Sequence, residues 1–108
     1  MEYISRADEI LLLAVLKLRE EATGVAVIKE IRSSLGKKLS LGGLWVSLDI
    51  LAKKGLVTKR LGDPTPCRGG RRKLHYRLTD EGLEALDRIQ GLNRALWKGI
   101  PESVKDSR

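Results

Sequence analysis

Cysteine and histidine occur once each in the sequence, as Cys67 and His75. A lone cysteine cannot close an internal disulfide, and one Cys with one His is too small a ligand set for a structural zinc site, so the fold must rest on packing. Phenylalanine is absent, and the remaining aromatics, Tyr3, Trp45, Tyr76 and Trp97, are scattered. Readers of single-stranded nucleic acid present clustered aromatics to unstacked bases, and no such platform can be assembled from these four. The longest apolar run, Ile10 to Leu16, is far too short to span a bilayer. Met1-Glu-Tyr-Ile lacks a basic leader followed by a hydrophobic stretch, so a cytoplasmic chain without a membrane partner is expected. No carboxylate pair suits a pocket, no nucleophile has a local base, and neither a Walker loop nor a metal-ligating cluster occurs; an enzyme is not expected, and no metal or cofactor is implied.

Acidic residues are scarce where basic ones gather. From Lys53 to Arg77, nine cations (Lys53, Lys54, Lys59, Arg60, Arg68, Arg71, Arg72, Lys73 and Arg77) stand against one acid, Asp63, a net of +8 in a chain whose total is +7. The rest of the chain therefore carries −1, and the basicity is a patch, as a polyanion-binding surface requires. The plainer alternative is a solvated loop with many cations. The patch centres on Gly62-Asp-Pro-Thr-Pro-Cys-Arg-Gly-Gly-Arg-Arg-Lys73, whose Pro and Gly residues interrupt two strand-like runs, Val57 to Leu61 and Lys73 to Leu78. That pattern predicts a hairpin with a basic loop, the wing of a winged helix. In its second strand Leu74, Tyr76 and Leu78 should face the core, Lys73 and Arg77 should point outward, and His75 should be a solvated surface residue.

Helical signals precede the hairpin. Ser5-Arg-Ala-Asp8 has capping-box spacing, and the apolar residues from Ile10 to Leu18 cover more than one face, as in a central core helix. After the polar break Arg19-Glu-Glu21 and a Thr23-Gly24 turn, Val27, Ile28, Ile31 and Leu35 predict a short helix closed by Gly36. Ser40 can cap a third helix, in which Leu44, Leu48, Leu51 and Ala52 line one side until Gly55. Two short helices joined by a few residues make a helix-turn-helix. The outer face of the third helix (Gly42, Gly43, Val46, Ser47, Ile50 and Lys53) is small or uncharged at its start and cationic at its end, suited to close approach to a groove floor. Gly42 and Gly43 also fit a loose entry turn. Trp45, beside Leu44 and Leu48, suits either the groove or the core.

Past the hairpin, Thr79 caps a last helix in which Ala85, Ile89, Leu92 and Leu96 recur at four, three and four, a short coiled-coil-like seam, with Leu83 and Leu86 on an adjacent stripe. One stripe can pack on the domain while the other meets a partner; packing of both in the core is the alternative. The residues after Lys98 read as a frayed tail. The expected organisation is a winged helix-turn-helix over residues 1–78, a dimerisation helix over 79–97 and a flexible tail over 98–108, a mostly α chain with one small β-hairpin.

The combination of Ser40-Leu-Gly-Gly-Leu-Trp-Val-Ser-Leu-Asp-Ile-Leu-Ala-Lys-Lys-Gly-Leu-Val57, Gly62-Asp-Pro-Thr-Pro, Arg68-Gly-Gly-Arg-Arg-Lys and Tyr76-Arg-Leu-Thr-Asp-Glu-Gly82 resembles the PadR family of transcriptional regulators. The resemblance spans nearly the whole chain. It implies a homodimeric, DNA-binding repressor whose last helix mediates dimerisation, in a short form that leaves a small-molecule effector unspecified. Cys67 stands where such wings usually carry Glu, and Trp45 where Tyr is usual.

The resulting expectation is a regulator that binds double-stranded DNA sequence-specifically at an inverted-repeat operator. Ser40, Gly42, Trp45, Val46 and Ser47 would lie at or near the major groove, and Lys53, Lys59, Arg68, Arg71, Arg72, Lys73 and Arg77 would meet phosphates or the minor groove. A non-specific architectural DNA binder or a protein-binding winged helix is the alternative. Cys67, beside Arg68, has the electropositive setting of an oxidisable thiol, against which stands its being a small loop residue with no resolving cysteine.

Overall fold

The computed structural model describes residues 3–36, 41–62 and 73–107. Among the described residues four helices and two strands follow one another as α1 (Arg6–Leu18), α2 (Gly24–Leu35), α3 (Leu41–Lys53), β1 (Val57–Leu61), β2 (Leu74–Leu78) and α4 (Asp80–Trp97). Single 3-10 turns lie at Arg19–Glu21 and Val104–Ser107.

The helix boundaries follow from local chemistry. Ser5 Oγ accepts the Asp8 amide at 3.1 Å and Thr23 Oγ1 the Ala26 amide at 3.2 Å, satisfying donors that the first turns of α1 and α2 leave open. Thr23 is therefore a cap, and Gly24 opens α2 instead of belonging to a turn before it. Gly36 closes α2 with φ 68°, a left-handed geometry that glycine adopts without steric cost.

Leu11, Leu12, Ala14 and Val15 of α1, Val27 and Ile31 of α2, and Leu44, Leu48 and Leu51 of α3 form the core, closed over by Val57 and Tyr76. The core helix α1 is not covered on every side: Leu13 and Leu16 remain exposed. The strands pair antiparallel in the register Val57↔Leu78, Thr58↔Arg77, Lys59↔Tyr76, Arg60↔His75 and Leu61↔Leu74. Directly opposed residues share a face, so Leu74, Tyr76 and Leu78 turn toward the core as the alternation predicts. Arg60, His75, Thr58 and Arg77 occupy the other face.

His75 departs from expectation. Its Nδ1 donates to the Glu20 carbonyl at 3.0 Å, which can only accept, so this nitrogen carries the proton. The ring lies where a Cβ on Gly62 would come within 2.8 Å of Nε2. The adjacent Tyr76 amide donates to the Ala22 carbonyl at 2.9 Å and Thr23 bridges His75, so the segment after α1 adds a short third edge to the hairpin. His75 thus fastens the wing to the α1–α2 connection and is not a merely solvated side chain.

Candidate nucleic-acid interface

The outer face of α3 has the character its sequence implies. Gly42 and Lys53 are exposed, Val46 is 61% exposed and Ile50 45%, while Ser47 is half-buried at the margin. An exposed valine and isoleucine beside glycine make a helix face with little to gain from water and room for another surface to approach closely.

Trp45 is turned the other way. Its ring centroid lies 6.0 Å from that of Tyr76 at a 44° tilt, and its Cη2 is 2.6 Å from the place a Cβ on Gly24 would occupy. The indole fills a slot between α2 and β2 that the missing side chain of Gly24 leaves open, and it packs against the core cluster. Of its two sequence readings, this geometry supports the core. Burial of the neighbouring Tyr76 phenol pushes its pKa above the usual value, with the Asp49 carboxylate adding to the effect.

The cations separate into groups that the linear charge count merges. Lys53 is exposed at the C-terminal end of α3, and Lys73 is exposed at the foot of β2. Lys59, on β1, forms an ion pair with Asp49 of α3. The Lys59 ammonium holds the Asp49 carboxyl below its ordinary range, and Lys53 contributes in the same direction. Lys54 lies 3.7 Å from Asp8 of α1. Arg77 is not brought together with Lys59: it shares the opposite hairpin face with Arg60, where both line a shallow cleft with Arg19, Glu20 and Asp80. Of the remaining expected contacts, Ser40, Arg68, Arg71 and Arg72 lie outside the described residues, as does Cys67. Asp49 was missed by reasoning from positive charge. The available signal was an acid alone on an otherwise uncharged stretch of helix.

In α4, Thr79 Oγ1 accepts the Gly82 amide at 3.0 Å and donates to the Gly55 carbonyl at 2.6 Å, anchoring the helix start to the end of α3. Only the first turns are buried, at Gly82, Ala85 and Leu86. Ala85 is therefore a correction to the seam: at 4% exposure it packs within its own domain and has no surface to offer a partner. Ile89 and Leu92 are half-buried, Leu96 is 66% exposed, and Leu83, from the adjacent stripe, is 43% exposed. Leu83 and Leu86 of α4 line a groove with Leu13 and Leu16 of α1.

Among the described residues no group of His, Cys, Asp and Glu could hold a metal ion, and no helix is long and apolar enough to cross a membrane.

The family model of the transcriptional regulator PadR-like family matches residues 12–88. Among solved structures, a PadR family transcription regulator from hypervirulent Clostridium difficile R20291 is 26% identical, with 84% of this chain and 91% of that one covered and a TM-score of 0.66. A PadR family transcriptional regulator from Eggerthella lenta DSM 2243 is also 26% identical, covering 88% and 80%, with a TM-score of 0.66. Bacillus subtilis PadR, solved in complex with operator DNA, shares the fold at 20% identity and a TM-score of 0.63, over 79% of this chain and 46% of that one. No curated protein matches the sequence.

Proposed function

Since the chain belongs to the PadR-like family of transcriptional regulators, we propose that it is a homodimeric repressor that reads an inverted-repeat operator with α3 and grips the flanking phosphates with its wing. The observation that carries this reading is the exposed face of Gly42, Val46 and Ile50 on the second helix of a helix-turn-helix, with Lys53 at its end and the basic loop of the hairpin following in sequence. Small and apolar groups suit contact with base edges and thymine methyls, whereas the cations suit phosphates, which supply affinity without sequence information. The operator-bound state of the Bacillus subtilis relative supports the same use of the shared fold.

The second copy is assigned to the face formed by Leu13 and Leu16 of α1 and Leu83, Ile89, Leu92 and Leu96 of α4. A two-fold axis there would present two α3 helices to half-sites about one helical turn, roughly 10 bp, apart.

The test begins with selection of duplexes from a random pool, followed by binding to the enriched and to random duplexes across a salt series. A preference for the enriched DNA is expected, together with a linear fall of log affinity with log salt. Arg71→Ala and Arg72→Ala should weaken both duplexes alike and flatten the slope by about 0.9 per lost phosphate contact. Ser47→Ala should instead lower affinity for the enriched sequence, by about 1–3 kcal/mol if a good base contact is lost. Equal losses on both duplexes for every variant would favour a non-specific architectural role.

A further inference from the structure

We propose that Asp49 is a specificity-determining residue, which sequesters the charge of Lys59 and keeps that lysine from acting as a phosphate contact. The inference rests on the DNA-binding reading and concerns how the same surface is tuned.

Asp49 is the only acid in α3, Leu-Gly-Gly-Leu-Trp-Val-Ser-Leu-Asp-Ile-Leu-Ala-Lys. It lies three residues beyond Val46 and next to Ile50, at the edge of the face assigned to the groove. A carboxylate facing DNA without a partner would be repelled by phosphates on both sides of the groove. In this fold it has a partner. Lys59 Nζ donates to Asp49 Oδ1, joining the middle of β1 to α3. Both side chains are partly open, 46% for Asp49 and 41% for Lys59, so neither is locked away from a ligand by burial. The pair is an electrostatic choice made at the surface.

Lys59 stands on the strand that leads directly into the basic loop, where an unpaired ammonium would add to the wing's attraction for any duplex. Attraction of that kind raises affinity for all sequences alike and lowers the ratio of operator to random binding. Pairing with Asp49 cancels the charge locally. Affinity then depends more on the neutral face of Gly42, Val46 and Ile50, which can distinguish bases, and less on charge, which cannot. The ionisation of Asp49 supports the pairing, since the Lys59 ammonium favours the carboxylate.

The experiment uses full-length protein and three variants, Asp49→Asn, Lys59→Gln and the double substitution. Each is titrated against a random-sequence duplex, and against duplexes enriched by wild type from a random pool, over a range of salt concentrations. Asn keeps the size and hydrogen-bonding capacity of Asp, and thermal melts check that each variant is folded. Released from its partner, Lys59 should gain a phosphate contact in Asp49→Asn. The salt slope on random duplex should steepen by about 0.9, and random-duplex affinity should rise roughly fivefold near physiological salt. The preference for enriched DNA should fall accordingly. Lys59→Gln alone leaves Asp49 unpaired beside the phosphates and should weaken both duplexes alike, while the double variant, which removes both charges, should return to the wild-type slope.

A double variant with a flatter slope than wild type, or an unchanged slope in Asp49→Asn, would overturn the proposal, because Lys59 would then be on a phosphate already or unable to reach one. Equal weakening by both single variants with no change of slope would also overturn it, leaving the pair a structural tie. In those cases wild type still prefers enriched DNA, so the regulator reading survives. Wild type that shows neither preference nor salt dependence would remove both.

Discussion

Glycines at two contact points determine how closely neighbouring elements pack. Gly24 leaves room for the Trp45 indole, and Gly82 lets the start of α4 settle on the Leu56 carbonyl, where an added Cβ would overlap that oxygen and stand 2.7 Å from Leu78 Cδ2. Backbone cannot step aside as a flexible side chain can. Gly82→Ala should therefore lower stability by about 1–3 kcal/mol, read as a shift of the urea midpoint with unchanged m-value. Gly91 is also helical but has open space around its would-be Cβ. Gly91→Ala should have the opposite sign, stabilising by about 0.5–1 kcal/mol. Trp45 shows why such outcomes are hard to read from sequence. Its neighbours Leu44 and Leu48 suit both a core and a groove position, and only the missing side chain of a residue twenty-one positions earlier, Gly24, settles the orientation. At Asp49 the pairing with Lys59 is present at neutral pH. Because the folded-state pKa lies below the ordinary carboxylate value, any contribution to stability is fully present above that value and lost as the pH falls through the folded one.

At the scale of elements, the helix ends were the most legible feature, because a cap is a contract among four neighbouring residues. Ser5, Thr23 and Thr79 each accept an amide three residues on. They are not equivalent in the fold. Ser5 satisfies one exposed donor, whereas the Thr79 hydroxyl also donates to Gly55 O and so joins α4 to the turn after α3. Thr79→Ala should cost about 1–2 kcal/mol, against about 0.5–1 kcal/mol for Ser5→Ala, by chemical denaturation monitored through helix signal. The hairpin is a contrasting case. Alternation correctly separates Leu74, Tyr76 and Leu78 from their neighbours, but it cannot say that the outer face, bearing Arg60 and Arg77, lies over the end of α1 while Lys59 reaches α3.

The whole molecule is more extended than its length requires. Its radius of gyration is 16.4 Å, against about 13 Å for a compact chain of this size. Its longest dimension is 58 Å. Much of α4 beyond Leu86 is exposed, including Leu96, and Trp97 is 55% exposed at its end. Apolar surface on a projecting helix, continued by Leu13 and Leu16 of α1, fits the proposed second copy. Light scattering at micromolar concentration should give twice the 12.0 kDa chain mass. Leu83→Glu, at an exposed position, should shift the mass toward monomer while helix content is retained; an unchanged dimer would move the interface elsewhere. Leu86→Glu, by contrast, should unfold the domain, since that side chain is 8% exposed and lies in the core.

What the sequence by itself determined is the order of helices and strands, the caps at Ser5 and Thr79, the basic character of the wing and the membership of a family. All of these arise from residues adjacent in the chain or from a pattern repeated along it. The tertiary structure decided which side chains share a surface. It took Trp45 and Ala85 toward the core, divided Lys59 from Arg77 across the hairpin, tied His75 to Glu20 and set Asp49 against Lys59. The physical reason is that periodicity and capping act within a few residues, whereas burial and charge pairing depend on distances between elements, which exist only once the elements have packed.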